Sequence, residues 1–411
     1  MEQPNLAMIP SGYKARVVYS IMPESGVGDF TFVRSGDATR INKDGLIETV
    51  DSHVPRLNYD LVNGVPSECP SLLLEPQSTN LLTYSEDFSD SSWTSQAVGA
   101  TVTSNSIISP DGTLNAVKIT DNSVNSTHRV LLLTTTASSG NFTYSVFLKK
   151  GTMTDAVLNV YSNGTKAVAT IDLENGTIAA SGGGVNAKIE DYGNDWYRCS
   201  IGGTLASTST TVYLYLSDSK TPYVGNGDFL YVYGAQLEQG TYATSYIPTS
   251  GSQVTRLQDA AFGAGSSDLI NSTEGVLYAE IAALANDGTF RLLSLSDGTS
   301  LNRVYLGFNN SDNIITANVT TGGVSQAIIN YTTTNSSLFN KVAIKYKDND
   351  VSLYVNGIEV GVDTSVTTPL SLNSLQFTSG AGSSVFSGKT KCVAVFKEAL
   401  TDEELTCLTT I

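Results

Sequence analysis

The sequence predicts an all-β protein with two antiparallel β-sandwiches behind a β-rich N-terminal arm. Only 15% of the 411 residues are charged, against about 25% in a typical soluble domain. Short apolar runs recur between clusters of Gly, Asn, Asp and Ser, a spacing typical of antiparallel strands. The length and the 40% hydrophobic content allow two or three domains, each with a core of its own.

Residues 1–80 form the predicted N-terminal region. Residues 14–22 and 28–34 have strand-like patterns, but prolines and other turn residues interrupt the stretch. Because so broken a sequence cannot bury a core alone, we expect it to lie against another chain or domain, or to serve as an arm.

Residues 81–250 form the predicted first sandwich. Short apolar and aromatic runs separated by turn residues indicate its antiparallel strands. Asn175-Gly176 predicts a two-residue hairpin turn, in which both central residues need a positive φ.

A linker at residues 251–267, with small-residue breaks at 248–252 and 263–267, leads to the predicted second sandwich at residues 268–411. Its clearest part is a pair of strands, 342–346 and 351–355, after which Asn356-Gly357 turns the chain. Apolar and lysine side chains alternate along the first of these strands, which predicts one buried side and one solvent-facing side.

One short C-terminal helix is the predicted exception to the all-β fold. Thr401 and Glu404 have the spacing of a capping box, and Leu400 with Leu405 that of a hydrophobic staple. Leu405 and Leu408 then share a face that docks on the second sandwich.

The composition excludes several classes of partner. With a net charge of −16 and a pI near 4.5, the surface would repel the phosphates of nucleic acid. The longest apolar segment, around residues 276–285, is far shorter than a membrane span, so we expect no membrane insertion. Residues 1–5 lack the features of a signal peptide, so we expect synthesis in the cytoplasm without an export tag.

No group of residues has the pattern of an active site, so we do not expect an enzyme. The two histidines, His53 and His128, are too few for most acid–base designs, and no nucleophile motif surrounds a serine. Asp172 and Glu174 are spaced like glycosidase carboxylates, but the turn that follows favours an exposed hairpin end. Residues 182–184, three glycines, are interpreted as a flexible turn and not as a phosphate loop.

Exposed aromatic side chains are the candidates for stacking on sugar rings. Trp93 follows a polar stretch and Tyr223 lies in a predicted loop, so these two are the candidate glycan-stacking residues. Trp196 lies within a strand pattern and is predicted to pack in the core. We expect no cofactor, although Asp and Asn in turns, as at 348–350, supply oxygen atoms that calcium could use.

Two sets of spaced motifs occur in order along the chain. The first set is Arg34-Ser-Gly-Asp-Ala-Thr-Arg40, Asp44-Gly-Leu-Ile-Glu48, Pro55-Arg-Leu-Asn-Tyr-Asp60, Leu72-Leu-Leu-Glu-Pro-Gln77 and Thr79-Asn-Leu81. The second set is Asp195-Trp-Tyr-Arg198, Gly234-Ala-Gln-Leu-Glu238, Thr244-Ser-Tyr-Ile-Pro-Thr249 and Thr255-Arg256. Together they resemble a family of tailed-phage virion proteins described as head spike, head fibre or tail fibre proteins.

This resemblance implies an N-terminal attachment region followed by a carbohydrate-binding-module-like jelly roll at residues 81–250. The family-like residues of the N-terminal region are Arg40, Asp44, Gly45, Pro55, Arg56 and Tyr59. A third set, Leu353-Tyr-Val-Asn-Gly357 with residues 396–405, resembles the concanavalin/laminin-G-like sandwich. That fold hosts lectins, hydrolases and plain spacers, so it does not by itself imply an activity.

The phage resemblance implies a structural virion protein, a head fibre or spike on the particle surface. Residues 1–80 would attach to capsid or tail proteins and support a homo-oligomer, either a dimer or a trimer, while the sandwiches adhere to host or environmental glycans. The alternative is a tail fibre or receptor-binding protein that binds, or less readily cleaves, surface polysaccharide. A bacterial surface adhesin would need a signal peptide or sorting sequence.

Overall fold

The structure is a computed structural model that describes residues 2–94, 97–135, 138–182, 185–218 and 220–411. It confirms the all-β fold class. Two short helices, α1 (Ser91–Thr94) and α2 (Asp402–Thr409), accompany the strands in this part of the chain, and neither is long and apolar enough to span a membrane. Gly183 and Gly184 of the predicted flexible turn lie outside the described residues.

Strands make up most of the described chain. Those of the N-terminal region are β1 (Leu6–Met8), β2 (Tyr13–Lys14), β3 (Val17–Val18), β4 (Phe30–Val33), β5 (Ala38–Ile41), β6 (Ile47–Val50), β7 (Arg56–Asn58), β8 (Leu61–Val62), β9 (Val65–Pro66), β10 (Ser71–Leu74) and β11 (Ser78–Asn80). Those within residues 81–250 are β12 (Ala100–Ile107), β13 (Ala116–Asp121), β14 (Asn125–Ser126), β15 (Arg129–Thr135), β16 (Gly140–Lys150), β17 (Asp155–Ser162), β18 (Thr165–Asp172), β19 (Thr177–Ser181), β20 (Asn186–Asp191), β21 (Trp196–Leu205), β22 (Ser209–Tyr215), β23 (Tyr223–Val224) and β24 (Phe229–Gln239). The remaining strands are β25 (Val254–Arg256), β26 (Ala260–Phe262), β27 (Glu274–Ala283), β28 (Arg291–Ser296), β29 (Arg303–Phe308), β30 (Ile314–Thr321), β31 (Val324–Thr332), β32 (Asn340–Lys347), β33 (Val351–Val355), β34 (Ile358–Asp363), β35 (Ser374–Gln376) and β36 (Gly388–Phe396).

The first sandwich packs a six-stranded sheet on a five-stranded one. The sheet orders are β12-β13-β24-β16-β21-β20 and β15-β22-β17-β18-β19, with antiparallel neighbours throughout. Alternate residues such as Val146, Leu158 and Leu214 point inward and are fully buried, which holds the two sheets together. Trp196 is 3% exposed within a buried aromatic cluster, so its predicted core position is confirmed.

The second sandwich includes strands from the N-terminal region. Its larger sheet has the order β34-β33-β32-β27-β36-β10-β7, with β1 also paired to β36, and its smaller sheet has the order β31-β30-β29-β28-β35. Phe30 of β4 packs on Phe377 of this sandwich with ring centroids 5.1 Å apart. The N-terminal region therefore lies against another domain, which is one of the arrangements that its sequence allows.

The predicted linker contains two short strands that pair with strands of the N-terminal region. Within residues 251–267, β25 pairs with β11 and β26 pairs with β4. Arg256 and Asp259 of this stretch are each 1% exposed. The small residues that suggested a flexible connection belong to its turns, whereas these two charged side chains are drawn into the interior.

The two Asn-Gly turns of the sequence analysis differ from each other. Asn356-Gly357 joins β33 to β34 with φ of 51° and 84°, as a two-residue turn requires. At Asn175-Gly176 only the glycine has a positive φ, and the pairing of β18 with β19 leaves four residues, 173–176, in the loop. The two-residue prediction is wrong there, because the Asp172 carboxylate accepts hydrogen bonds from the Asn175 backbone (2.9 Å) and side chain (2.7 Å) and holds a wider turn.

The C-terminal helix agrees with its prediction. The Thr401 hydroxyl accepts from the Glu404 backbone N–H (3.3 Å), and the Glu404 carboxylate accepts from the Thr401 N–H (3.1 Å), so the capping box is complete. Leu405 is fully buried against the second sandwich, and Leu408 packs beside it.

This helix changes the environment of β32. The Lys345 side chain, predicted to face solvent, is 7% exposed and its ammonium lies 2.9 Å from Asp350 and 3.4 Å from Asp402 of α2. The prediction of a solvent-facing side is wrong at the middle of this strand, because α2 covers it.

Candidate functional site

A cleft of about 620 Å³ opens where the N-terminal region meets both sandwiches. Its size falls within the range of about 300–1,000 Å³ typical of ligand sites. Arg40 and Tyr59 of the N-terminal region, Tyr197 of the first sandwich and Lys389 of the second contribute to its walls. We call it the junction cleft.

The hairpin of β8 and β9 forms one wall of the junction cleft. Asn63 and Gly64 at its tip have φ of 49° and 73° and make a two-residue turn. A Cβ atom at Gly64 would lie 2.7 Å from Cα of Gly193, so the close contact between this tip and the first sandwich requires glycine. This contact fixes the distance between two walls of the cleft.

Four half-buried tyrosines line the junction cleft: Tyr59, Tyr192, Tyr197 and Tyr242. Burial raises the pKa of Tyr192 and Tyr197, and it raises the pKa of Tyr242 to about 12. These three hydroxyls are therefore neutral at physiological pH. A tyrosine side chain combines apolar ring faces with a hydroxyl that can donate or accept a hydrogen bond.

Three ion pairs border the junction cleft, and we call them the rim pairs. They are Lys389 with Asp60 (2.6 Å), Lys188 with Glu190 (2.7 Å) and Arg40 with Glu48 (2.9 Å). All six side chains retain some exposure to solvent. The rim thus presents paired charges of opposite sign.

A buried charge network lies beneath the cleft, formed by Arg34, Arg56, Arg256, Glu75 and Asp259. Glu75 Oε2 lies 2.5 Å from Nη1 of Arg56 and 2.8 Å from Nη1 of Arg256. Asp259 accepts from Nη1 of Arg34 at 3.1 Å and from Nη2 of Arg56. None of the five residues is more than 3% exposed.

The network is anchored by strand pairing and keeps Glu75 ionised. Arg56 begins β7, Glu75 follows β10 and Asp259 precedes β26, so three strand ends bring them together. Burial alone would raise the pKa of Glu75, but Arg256 and Arg56 overcome this effect and hold the pKa well below its usual range. The Ser245 backbone N–H (2.8 Å) and hydroxyl (2.6 Å) also donate to Glu75.

A further buried carboxylate, Glu238 at the end of β24, binds the neighbouring segments together. It accepts hydrogen bonds from the Ser78 hydroxyl (2.6 Å), the Gln236 amide (2.6 Å), and the Thr244 N–H (2.9 Å) and hydroxyl (2.7 Å). Residues of both motif sets meet nearby, where Glu75 of the first set contacts Ser245 and Arg256 of the second.

The structure brings most of the family-like N-terminal residues together. Arg40 and Tyr59 line the cleft, and Arg56 lies in the buried network. Pro55 is buried directly before Arg56. In the second motif set, Tyr197 also lines the cleft.

Asp44 and Gly45 stand apart from the cleft, in the turn between β5 and β6. The Asn42 side-chain carbonyl accepts from the Asp44 N–H at 2.9 Å, and Gly45 has a φ of 78°. Both residues thus shape a local turn.

Trp93 is not an exposed platform, and that prediction is wrong. Its side chain is fully buried, packs on Phe88 with ring centroids 4.7 Å apart, and donates from Nε1 to the Tyr84 carbonyl at 2.8 Å. The polar residues before it form helix α1, which turns the indole into the first sandwich.

Tyr223 lies outside the cleft, and its polar group is used internally. Its hydroxyl donates to the Leu216 carbonyl (2.6 Å) and lies 3.0 Å from the Asp121 carboxylate, while its ring stands 4.2 Å from the ring of His128. Only part of the ring is exposed. These contacts fit a structural role better than a sugar platform.

Tyr192 and Tyr242 were missed from the sequence. The chain has 20 tyrosines and only two tryptophans. This excess of tyrosine could have indicated that tyrosines, not tryptophans, line a binding site.

The carboxylates considered for chemistry have internal partners. Glu174 is exposed and pairs with Lys150 at 2.8 Å, so it and Asp172 lie at a hairpin end. Asp348 accepts from the backbone (2.8 Å) and hydroxyl (2.9 Å) of Thr368. Within the described ranges, no group of three or more His, Cys, Asp or Glu side chains is placed to hold a metal ion. The expectation of no cofactor, with calcium as the possible exception, stays a prediction.

One family model matches the second sandwich. Residues 268–406 match the model of the concanavalin A-like lectin/glucanases superfamily. No curated protein matches the chain significantly.

The similarity of this chain to solved structures is low. The CBM40 of a Ruminococcus gnavus IT-sialidase, bound to alpha2,3 sialyllactose, is 16% identical over 36% of this chain and 87% of its own, with a TM-score of 0.30. Domain 4 of the arabinanase AbnA from Geobacillus stearothermophilus, in complex with arabinotriose, is 13% identical over 42% and 83%, with a TM-score of 0.30. Domains LG4-5 of the mouse laminin alpha1 chain are 12% identical over 67% and 92%, with a TM-score of 0.24. TM-scores this low support no inference about the chain.

Proposed function

We propose that the protein is a non-catalytic glycan-binding protein displayed on the surface of a tailed-phage virion, as a head fibre or head spike. The observation that carries the glycan-binding part is the tyrosine-lined junction cleft, in a chain whose second sandwich matches a lectin and glucanase family. The virion part rests on the resemblance of the two motif sets to phage fibre and spike proteins.

The cleft has the groups that recognise sugars. A pyranose ring has an apolar face of C–H groups, which packs on the ring of a tyrosine such as Tyr59 or Tyr242. Its hydroxyls need neutral donors and acceptors, which the tyrosine hydroxyls and the Asn63 amide supply. The buried network below limits movement of the walls, and a preformed site loses less entropy on binding.

The cleft carboxylates argue for binding without hydrolysis. Glycoside hydrolysis needs a carboxylic acid that carries a proton to the leaving oxygen. The pKa of Glu75 is held well below its usual range, so this group stays ionised. Asp60 and Glu190 are engaged with Lys389 and Lys188, and Asp191 accepts a hydrogen bond from the Gly193 backbone N–H at 2.8 Å.

Capsid or tail proteins and further copies of the chain are the proposed partners, and residues 1–80 are the proposed attachment region. Its strands are used within the chain, so attachment would involve exposed side chains such as Ile9, Ile21 and Val27. A dimer or trimer would fit a fibre or spike. The same motifs suit a tail fibre or receptor-binding protein, which is the alternative position on the particle.

Glycan binding is tested with a pair of tyrosine variants on an oligosaccharide array. The variant Tyr59→Ala/Tyr242→Ala should weaken binding at least about tenfold, because it removes two stacking faces. The matched control Tyr161→Ala/Tyr19→Ala removes two partly exposed tyrosines outside the cleft and should bind like the parent protein. Equal binding by both variants would overturn the cleft as the site, and thermal unfolding verifies that each is folded.

The virion part has its own test. Mass spectrometry of purified particles should detect the protein, and immunogold electron microscopy should place it on the head. Labelling of the tail would favour the alternative position, and absence from intact particles would refute the virion role.

A further inference from the structure

We infer, on the basis of the proposed function, that the ligand of the junction cleft is an uncharged glycan and not an acidic one. The charged groups of the cleft balance one another, which leaves its uncharged groups to meet a ligand.

The charges that line the cleft are equal in number and opposite in sign. Among the described lining residues, the cations are Arg40, Lys188, Arg198 and Lys389, and the carboxylates are Asp60, Glu75, Glu190 and Asp191. A site for uronic or sialic acids would need a surplus of cations, because a carboxylate ligand brings its own negative charge into a partly desolvated space.

Each exposed cation already has a carboxylate partner. Lys389 lies 2.6 Å from Asp60, and Lys188 lies 2.7 Å from Glu190. An acidic sugar that approached either lysine would also approach the carboxylate beside it, and the repulsion would offset the attraction. Arg40 is paired in the same way, with Glu48.

The fourth cation is withdrawn into the wall. Arg198 is 4% exposed, donates from Nη2 to the Ser145 hydroxyl at 3.0 Å, and lies over the ring of Phe147 at 5.3 Å. Its position braces the wall and does not present its guanidinium to the cleft opening.

The net negative charge of the whole protein also disfavours acidic ligands. At a net charge of −16, the long-range field repels polyanions before contact. Screening reduces this repulsion beyond about 8 Å at physiological salt and beyond about 30 Å at very low salt. Discrimination against acidic glycans should therefore be strongest at low ionic strength.

The uncharged groups of the cleft are what remains for recognition. The tyrosine rings supply apolar faces, and Tyr59, Asn63 and Ser337 supply uncharged polar groups at accessible positions. This combination matches the hydroxyls and C–H faces of neutral hexoses.

The first experiment titrates the full-length protein with neutral and acidic oligosaccharides at low and physiological salt. The probes are gluco-, galacto- and manno-oligosaccharides for the neutral class, and oligogalacturonates and sialyllactose for the acidic class. A neutral probe should bind with little salt dependence, and acidic probes should bind at least about tenfold more weakly. Preferred binding of an acidic probe would overturn this inference and leave the proposed glycan binding intact. Binding of neither class would contradict the proposed function itself.

The second experiment changes the charge balance of the cleft. Asp60→Asn/Glu190→Gln leaves Lys389 and Lys188 without their rim partners and should raise affinity for oligogalacturonates by about tenfold. Glu274→Gln/Glu280→Gln removes the same charge from two carboxylates outside the cleft and should give no such gain. An equal gain in both variants, or none in the first, would overturn the charge-balance explanation.

Discussion

The buried network beneath the junction cleft and the rim pairs at its edge use the same chemical groups, yet burial gives them different roles. In the network, Glu75 and Asp259 are almost fully excluded from water, so every charge must keep its partner. On the rim, Lys188 and Glu190 remain accessible to water and their attraction is screened. The buried ion pairs join the N-terminal region to the segment after the first sandwich, and we propose that the exposed rim pairs influence which ligand the cleft accepts.

The largest expected effect comes from breaking the network. Glu75→Gln should destabilise the protein by about 3–5 kcal/mol, because it leaves Arg256 buried without a carboxylate and Arg56 with Asp259 alone. Urea denaturation would measure this loss. A change within about 1 kcal/mol would show that the network does not hold the junction together.

Acidification should remove the stabilisation that ionised Glu75 provides. Because the folded-state pKa of Glu75 is depressed, its stabilisation is present above the pKa of about 4.3 in the unfolded chain and is lost as the pH falls below that value. The slope attributable to this group approaches about 1.4 kcal/mol per pH unit. The parent protein should therefore lose stability in acid more steeply than Glu75→Gln, and parallel unfolding curves would contradict the assignment.

Removal of a rim pair should have the smallest effect on the free energy of unfolding. Asp60→Asn removes the partner of Lys389 but should change the free energy of unfolding by no more than about 1 kcal/mol, because water solvates the remaining lysine. Urea denaturation beside Glu75→Gln makes the comparison direct. A loss as large as that of Glu75→Gln would remove the distinction between rim and network.

Local features of the fold were predictable from the sequence. Helix α2 was predictable because its capping box and apolar face lie within a few residues of each other. The turn at Asn356-Gly357 was predictable for the same reason. The turn at Asn175-Gly176 was not, because a side chain outside the pair, Asp172, selects a wider loop.

The site was far less predictable, because its residues are distant in sequence. Tyr59, Tyr197 and Lys389 meet only after the N-terminal strands join the sheet of the second sandwich. The prediction for Trp93 was wrong for a local reason. Its polar neighbours suggested that the side chain is exposed, but these residues form a short helix that buries it. The motif resemblance identified Arg40, Arg56 and Tyr59 as a group, but only the structure shows that two of them line the cleft and one lies beneath it.

We propose that the junction cleft binds a glycan. The most direct test is an experimental structure of the full chain with the neutral oligosaccharide that binds best. Sugar density in the cleft, stacked on Tyr59 or Tyr242, is the result we predict. Sugar density elsewhere, for example beside Tyr223, with the cleft empty, would contradict the claim.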